Sequence, residues 1–165
     1  MTVPVGSSSP RNRHARQTRR LLGITATLLA VLSLSGVLSS CESTKPELDA
    51  VRDAVNASRA AAGLPALREN VTLDVKADKW AQGMRDACRI WHSNLADGAP
   101  KEWRKLGENV GMGGSIDQIH VAYMNSPGHR ANVLDPSFTQ MGTAAVWGNC
   151  NGYRTVFTVH VFMKT

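Results

Sequence analysis

The sequence predicts an α+β fold, built as a helix–sheet–helix (α-β-α) sandwich in a single domain, and three observations carry that expectation. Apolar residues recur at helical spacing behind recognisable N-terminal caps between Thr44 and Tyr123. The period then falls to two, from Gly142 to Trp147 and from Tyr153 to Lys164, around the turn Gly148-Asn149-Cys150-Asn151-Gly152. In the second of these strands Phe157, Val159, Val161 and Met163 alternate with Val156, Thr158, His160 and Phe162. Both faces are largely apolar, so the sheet should be covered on two sides.

The first 40 residues of the 165 read as an export signal and are set aside from the fold. They carry Arg11, Arg13, Arg16, Arg19 and Arg20, no acidic residue, and then an uncharged run from Leu21 to Leu38. The Arg19-Arg20 pair resembles a twin-arginine signal, although general export signals also carry paired basic residues. The uncharged run is long enough for a membrane span. Leu38-Ser39-Ser40-Cys41, however, resembles a bacterial lipobox, in which the chain is cut before a cysteine that receives diacylglycerol. The expected organisation is therefore a signal peptide over 1–40, a lipidated tether over 41–45 and one domain over 46–165. The alternative is a retained N-terminal anchor. Both place the domain outside the cytoplasmic membrane, attached to it.

Removing the leader changes the charge argument. The whole chain is +6, and five of those charges are the leader arginines. From Glu42 onward the chain has 14 Lys and Arg against 13 Asp and Glu, a net charge of +1. No basic face is expected, which excludes nucleic acid as a partner. Of three cysteines, Cys41 is assigned to the lipid. Cys88 and Cys150 remain as a candidate disulfide in a compartment that permits one, the alternative being two separate buried thiols.

Each element has its own signal. Thr44-Lys45-Pro46-Glu47 reads as a capping box with proline in the first turn, followed by Leu48, Val51 and Val55 and closed by Gly63 and Pro65. A second helix covers Leu73 to Cys88, with Leu73, Ala77, Trp80, Ala81, Met84 and Cys88 on one face. Ser115-Ile116-Asp117-Gln118 is another capping box. It opens a third helix that carries Ile116, Ile119, His120 and Tyr123 on one side and stops at Ser126-Pro127-Gly128.

Four histidines remain beyond the leader. His120 in mid-helix and His160 in mid-strand read as packed, hydrogen-bonded core residues. His92 and His129 each lie just past a predicted helix end, and between them runs LGENVGMGGS, Leu106 to Ser115, a glycine-rich loop carrying Glu108. Two imidazoles and one carboxylate suit a divalent cation, zinc or magnesium, with a position left open. The same trio suits acid–base work if the carboxylate orients a histidine. The competing reading is a structural hydrogen-bond network. No HExxH, zinc-spaced cysteine pair or nucleophile elbow accompanies these residues.

The segments HSNL at His92, LGENVGMGGS at Leu106 and YMNSPGHRANVLDPSFTQMG from Tyr123 to Gly142 resemble the bacterial branch of the CAP superfamily, the SCP domain of cysteine-rich secretory, antigen 5 and pathogenesis-related 1 proteins. NASRAAAGLPAL at Asn56 and VKADKWAQGM at Val75 fit the same pattern, so the resemblance spans about Pro46 to Thr165. It implies an α-β-α sandwich with a central cavity lined by two histidines and two acids. His92, Glu108 and His129 match three of these. The second acid is missing, with Tyr123 and Ser126 standing where the family has tryptophan and the acid. The resemblance implies a cavity at His129, braced by Arg130 and Asn132, with Ser126 beside it. It also implies a choice of function: binding of a lipid or cell-envelope ligand without catalysis, metal-dependent hydrolysis in the same cavity, or a purely structural polar plug.

Overall fold

The computed structural model describes residues 43–165; the signal peptide, the lipobox and Cys41 lie outside the described residues. Helix α1 (Lys45–Ala61) begins where its cap predicts. The Thr44 N–H donates to the Glu47 carboxylate at 2.8 Å, and the Thr44 hydroxyl donates to the same oxygen at 2.9 Å. Gly63, at φ +72°, takes the chain out of the helix in a conformation that costs a residue without Cβ little. Val51 and Val55 are buried, as is Arg59 at 1% exposure. The Arg59 guanidinium survives burial because it donates to the carbonyls of Pro65, Val133 and Asp135, each at 2.9 Å.

A two-residue strand, β1 (Arg68–Glu69), follows. It is too short to carry a period and is not legible in the sequence. Asn70 then caps α2 (Val71–Asp86), its side chain accepting from the Leu73 N–H at 3.2 Å. The helix thus starts and ends two residues earlier than its apolar stripe suggests. Leu73, Ala77, Ala81 and Met84 are fully buried on one face.

The glycine-rich segment is not a loop. It is the strand β2 (Lys105–Gly113). Its alternation was hidden because Gly107, Gly111 and Gly113 occupy the face against the helices, where space for a Cβ is lacking. A Cβ on Gly111 would lie 2.6 Å from the Tyr123 hydroxyl oxygen, and one on Gly113 would lie 2.9 Å from Ile119.

Helix α3 (Ile116–Asn125) is capped by Ser115, which accepts from the Gln118 N–H at 3.1 Å. The Gln118 side chain reaches back to the Gly114 N–H rather than to that of Ser115. Pro127 and Gly128 do end α3, but they also begin a second helix, α4 (Pro127–Val133). Proline at the first helical position loses no hydrogen bond, so the same residue serves as stop and start. His129 therefore sits in the first turn of a helix rather than in a loop.

Strands β3 (Gln140–Cys150) and β4 (Tyr153–Lys164) form the expected hairpin. Asn151 and Gly152 both have positive φ, 54° and 84°, as the tight two-residue turn requires. The Cys88–Cys150 disulfide forms, with Cα atoms 5.5 Å apart, and ties the end of α2 to the hairpin tip. It closes a 62-residue separation, so reduction is expected to lower unfolding free energy by roughly 2–4 kcal/mol. Denaturant titration with and without reductant measures that loss, and coincident curves would show the link to be energetically idle.

The sheet order is β1-β3-β4-β2, with β1 parallel to β3 and the other pairs antiparallel. Helix α2 covers one face, burying Leu73 and Met84 against Ala144, Val146, Phe157 and Val159. Helices α1, α3 and α4 cover the other, where Val55, Val133, Met141 and Phe162 meet in one cluster and Val51, Ile119, Tyr123 and Ala145 in another. Neighbouring residues of β3 and β4 thus alternate between two apolar layers, the α-β-α sandwich predicted from the two-faced strand.

Candidate functional site

The pleat of β2 decides where the site residues go, because successive side chains of a strand point to opposite faces. Leu106 and Val110 pack in the layer under α2, so Glu108, two residues from each, faces the same side. Its side chain is 2% exposed and both oxygens are occupied. Oε1 lies 2.9 Å from the His92 Nδ1 and accepts from the Ser93 N–H at 2.8 Å, while Oε2 accepts from the Ser93 hydroxyl at 2.6 Å. These bonds lash the segment after α2 to the strand. His92 itself is 61% exposed. Ser93 stands beside His92 in the sequence with no nucleophile elbow around it, and its role as a partner of Glu108 has no local signal.

The same segment is held to α2 from its other end. The Trp80 indole N–H donates to the Trp91 carbonyl at 2.7 Å, and the Lys76 ammonium donates to the carbonyls of Asn94 and Asp97 at 2.9 and 2.7 Å. A cleft of about 650 Å³ opens there, between Val71, Val75 and Trp80 of the helix and Asn94, Asp97 and Gly98 of the segment.

His129 belongs to the opposite layer. Its Nδ1 lies 2.9 Å from the Ser126 hydroxyl, and its ring centroid is 4.9 Å from that of Tyr123. Desolvation lowers its pKa, and the neighbouring His92 lowers it further. Asn132 braces this corner: its amide donates to the Glu108 carbonyl at 3.2 Å and to the Asn109 side chain at 2.9 Å. Asn109 in turn donates to the His129 carbonyl at 3.1 Å. Arg130 holds the turn through its backbone, its N–H donating to the Ser126 carbonyl at 2.8 Å.

By the pleat of β2 the Glu108 side chain belongs to the α2 face, whereas His129 packs with Tyr123 on the other face, within electrostatic reach of His92. Among the described residues no three His, Cys, Asp or Glu side chains gather closely enough to hold a metal ion. The Glu108 carboxylate is engaged by His92 and Ser93, and the His129 Nδ1 by Ser126.

What the arrangement offers instead is a groove. A cavity of about 460 Å³ runs beside β2, walled by Ile119, Ala122 and Tyr123 of α3, by Ile90 and by Met112, with Ser126 and His129 at one end. Tyr123 is buried beneath it, with its hydroxyl 3.0 Å from the Thr158 hydroxyl and its pKa raised by desolvation. Beyond Tyr123 lies His160, ring centroids 5.0 Å apart. It is a core histidine as expected but not a hydrogen-bonded one at Nδ1, which is buried with no partner among the described residues. His120 shares a hydrogen bond between its Nε2 and the Ser58 hydroxyl at 2.8 Å, and its Nδ1 likewise has no partner among the described residues.

Comparison with known proteins agrees with this architecture. A family model described as the cysteine-rich secretory protein family, CAP, matches residues 52–162. The uncharacterized protein YkwD of Bacillus subtilis is 33% identical over 105 residues, which is 58% of this chain and 41% of YkwD. The chain thus spans about two fifths of that relative's length. Two solved structures share the fold at a TM-score of 0.57: an outer surface protein of Borrelia burgdorferi and an extracellular, SCP-domain-containing protein of Bacillus anthracis. The Borrelia protein is 18% identical, the match covering 70% of this chain and 90% of that one. The Bacillus anthracis protein is 22% identical, with 72% and 40% covered.

Proposed function

The chain belongs to the cysteine-rich secretory protein family, and from that premise we propose that it is an exported binding module without catalytic activity, held at the membrane by a lipid on Cys41. Its ligand is a lipid or cell-envelope component taken up in the groove beside β2. The observation that carries this reading is the groove itself: about 460 Å³, largely apolar, with the bonded Ser126–His129 pair and Gln118 as its polar side chains beside the buried Tyr123. A pocket with apolar walls and few polar groups is what ligand binding without chemistry needs. Among the described residues no acid meets the His129 ring, and Glu108 holds His92 and Ser93. The groove favours this reading over metal-dependent hydrolysis, because among the described residues no three His, Cys, Asp or Glu side chains gather as a metal-holding group.

Two-dimensional NMR titration tests the reading. Muropeptides, short-chain phospholipids and soluble envelope peptides are added in turn to the labelled protein. At least one is expected to give saturable shifts at Met112, Ile119, Ala122 and His129, weakened in His129→Ala. Three ligand classes that leave these signals in place would sink it.

A further inference from the structure

The groove is lined by five consecutive residues, Val110 to Gly114, that run along β2 and just past its end. A sheet face presents every second residue, so an unbroken run means that the cavity follows the edge of the strand. The topology agrees, because β2 ends the order β1-β3-β4-β2 and, among the described residues, pairs only with β4. The hydrogen-bonding direction of each residue follows from the hairpin. Its two-residue turn closes on the pair Cys150–Tyr153, so odd-numbered residues of β4 bond to β3 and even-numbered ones turn toward β2. Their partners on β2 are Lys105, Gly107, Asn109, Gly111 and Gly113. Glu108, Val110 and Met112 thus direct their N–H and C=O groups away from the sheet.

The Glu108 carbonyl is met by Asn132, in agreement with that direction. No backbone or side-chain group among the described residues meets the outward backbone groups of Val110 or Met112. Two residues therefore carry two unpaired donors and two unpaired acceptors in extended register along a groove, Met112 at 40% exposure and Val110 at 4%. Ile90 stands on one side of it and Ile119 and Ala122 on the other. Unpaired strand edges are templates for another extended chain, and pockets for its alternating side chains supply selectivity.

Resting on the binding function proposed above, we infer that the ligand is an extended peptide that adds to β2 as a fifth strand, pairing with Val110 and Met112. At about 3.4 Å per residue, the run from Val110 to Gly114 accommodates roughly four or five residues. Among the described residues that line the groove there is no carboxylate, ammonium or guanidinium, and His129 and the buried Tyr123 are its titratable side chains. The peptide's side chains there are therefore uncharged, aliphatic toward Ile119 and Ala122.

The test uses the full chain in detergent-free nanodiscs and a panel of acetylated, amidated hexapeptides randomised over uncharged residues. Selected binders are expected to slow amide exchange at Val110 and Met112 by about tenfold or more at saturation. N-methylation of alternate peptide residues should abolish that protection. Met112→Pro removes one edge donor, a change an edge strand tolerates, and should weaken binding by about tenfold or more without lowering Tm. Ala122→Trp fills the groove, leaves the β2 backbone intact and should block binding as well. Three results overturn the inference: peptides that bind without slowing these amides, protection that rises with protein concentration in the absence of peptide (pairing of two copies of the chain), or no binder in the panel. If phospholipids or muropeptides still shift Ile119 and His129 while the panel fails, the groove is a binding site of another class. If nothing shifts them, the binding function falls too.

Discussion

Gly142→Ala is expected to destabilise the fold by more than about 4 kcal/mol, the range reached only when a substitution breaks a core outright. Gly142 lies in β3 where the first turn of α2 crosses it. A Cβ there would stand 2.1 Å from the Leu73 carbonyl carbon, 2.4 Å from the Asp74 nitrogen and 2.4 Å from the Leu73 Cβ. Two of these atoms are backbone, so no rotamer change relieves the contact and the helix must move. Moving it pulls Leu73 from its fully buried site. It also strains the bond from the Thr143 N–H to the Asp74 carboxylate, 2.7 Å long, and the approach of Arg52 to that carboxylate at 3.6 Å. Urea unfolding of the variant measures the loss. Gly128→Ala is the matched control, because nothing lies within 4 Å of a Cβ at that helical position. It should be neutral or stabilising by up to about 1 kcal/mol. Equal stabilities for the two variants would refute the close-approach argument.

The second large effect is acid sensitivity. Burial first, and then the neighbouring His120 and His129, push the His160 imidazole down to about 3. The unfolded chain binds that proton near 6.5, so between about pH 6.5 and 3 it holds more protons than the folded chain. Stability is therefore full above about pH 6.5 and falls as the pH drops toward 3. At about 1.36 kcal/mol per unit, the loss across that window is on the order of 4–5 kcal/mol. His120 and His129, both lowered by burial, act in the same direction. Asp135 is held down at about 2 by hydrogen bonds from Lys105 and Ser137 that together outweigh desolvation, and it adds its own loss only below its ordinary value of 3.8. Asp74, raised by desolvation, acts in the opposite direction. His160→Gln should flatten the slope of Tm against pH between about 4 and 6.5. A slope unchanged by that substitution would place the acid sensitivity elsewhere.

These two residues also mark what the sequence does and does not disclose. His160 could be placed in the core because the strand around it is apolar on both faces, yet its unpartnered Nδ1 depends on neighbours from α3 that no local pattern announces. Helices α1, α2 and α3 are legible because Thr44, Ser115 and the stripe from Leu73 to Met84 are local signals. Strand β2 was not, since its helix-facing positions are Gly107, Asn109, Gly111 and Gly113, and the smallness of Gly111 and Gly113 answers to Tyr123 and Ile119 rather than to strand propensity. Pro127 announces only a stop, because a break and a restart share one residue. The site suffered in the same way. His92 and Glu108 do meet, but the pleat that puts Glu108 and His129 on opposite sides of β2 is invisible when β2 is taken for a loop.

Ser43 carries a consequence for how the protein moves. Its N–H donates to the Asp78 carboxylate at 2.7 Å, and its hydroxyl accepts from the Ala145 N–H at 2.9 Å. The first described residue is thus bolted to both α2 and the middle of β3. Cys41 is two residues away, roughly 7 Å of chain at full extension. An acyl group there would leave the domain almost no leash. It would ride on the bilayer in a restricted set of poses, with tumbling damped about axes parallel to the surface. Which of its sides faced outward would be settled by the attachment, without any further contact to the lipid.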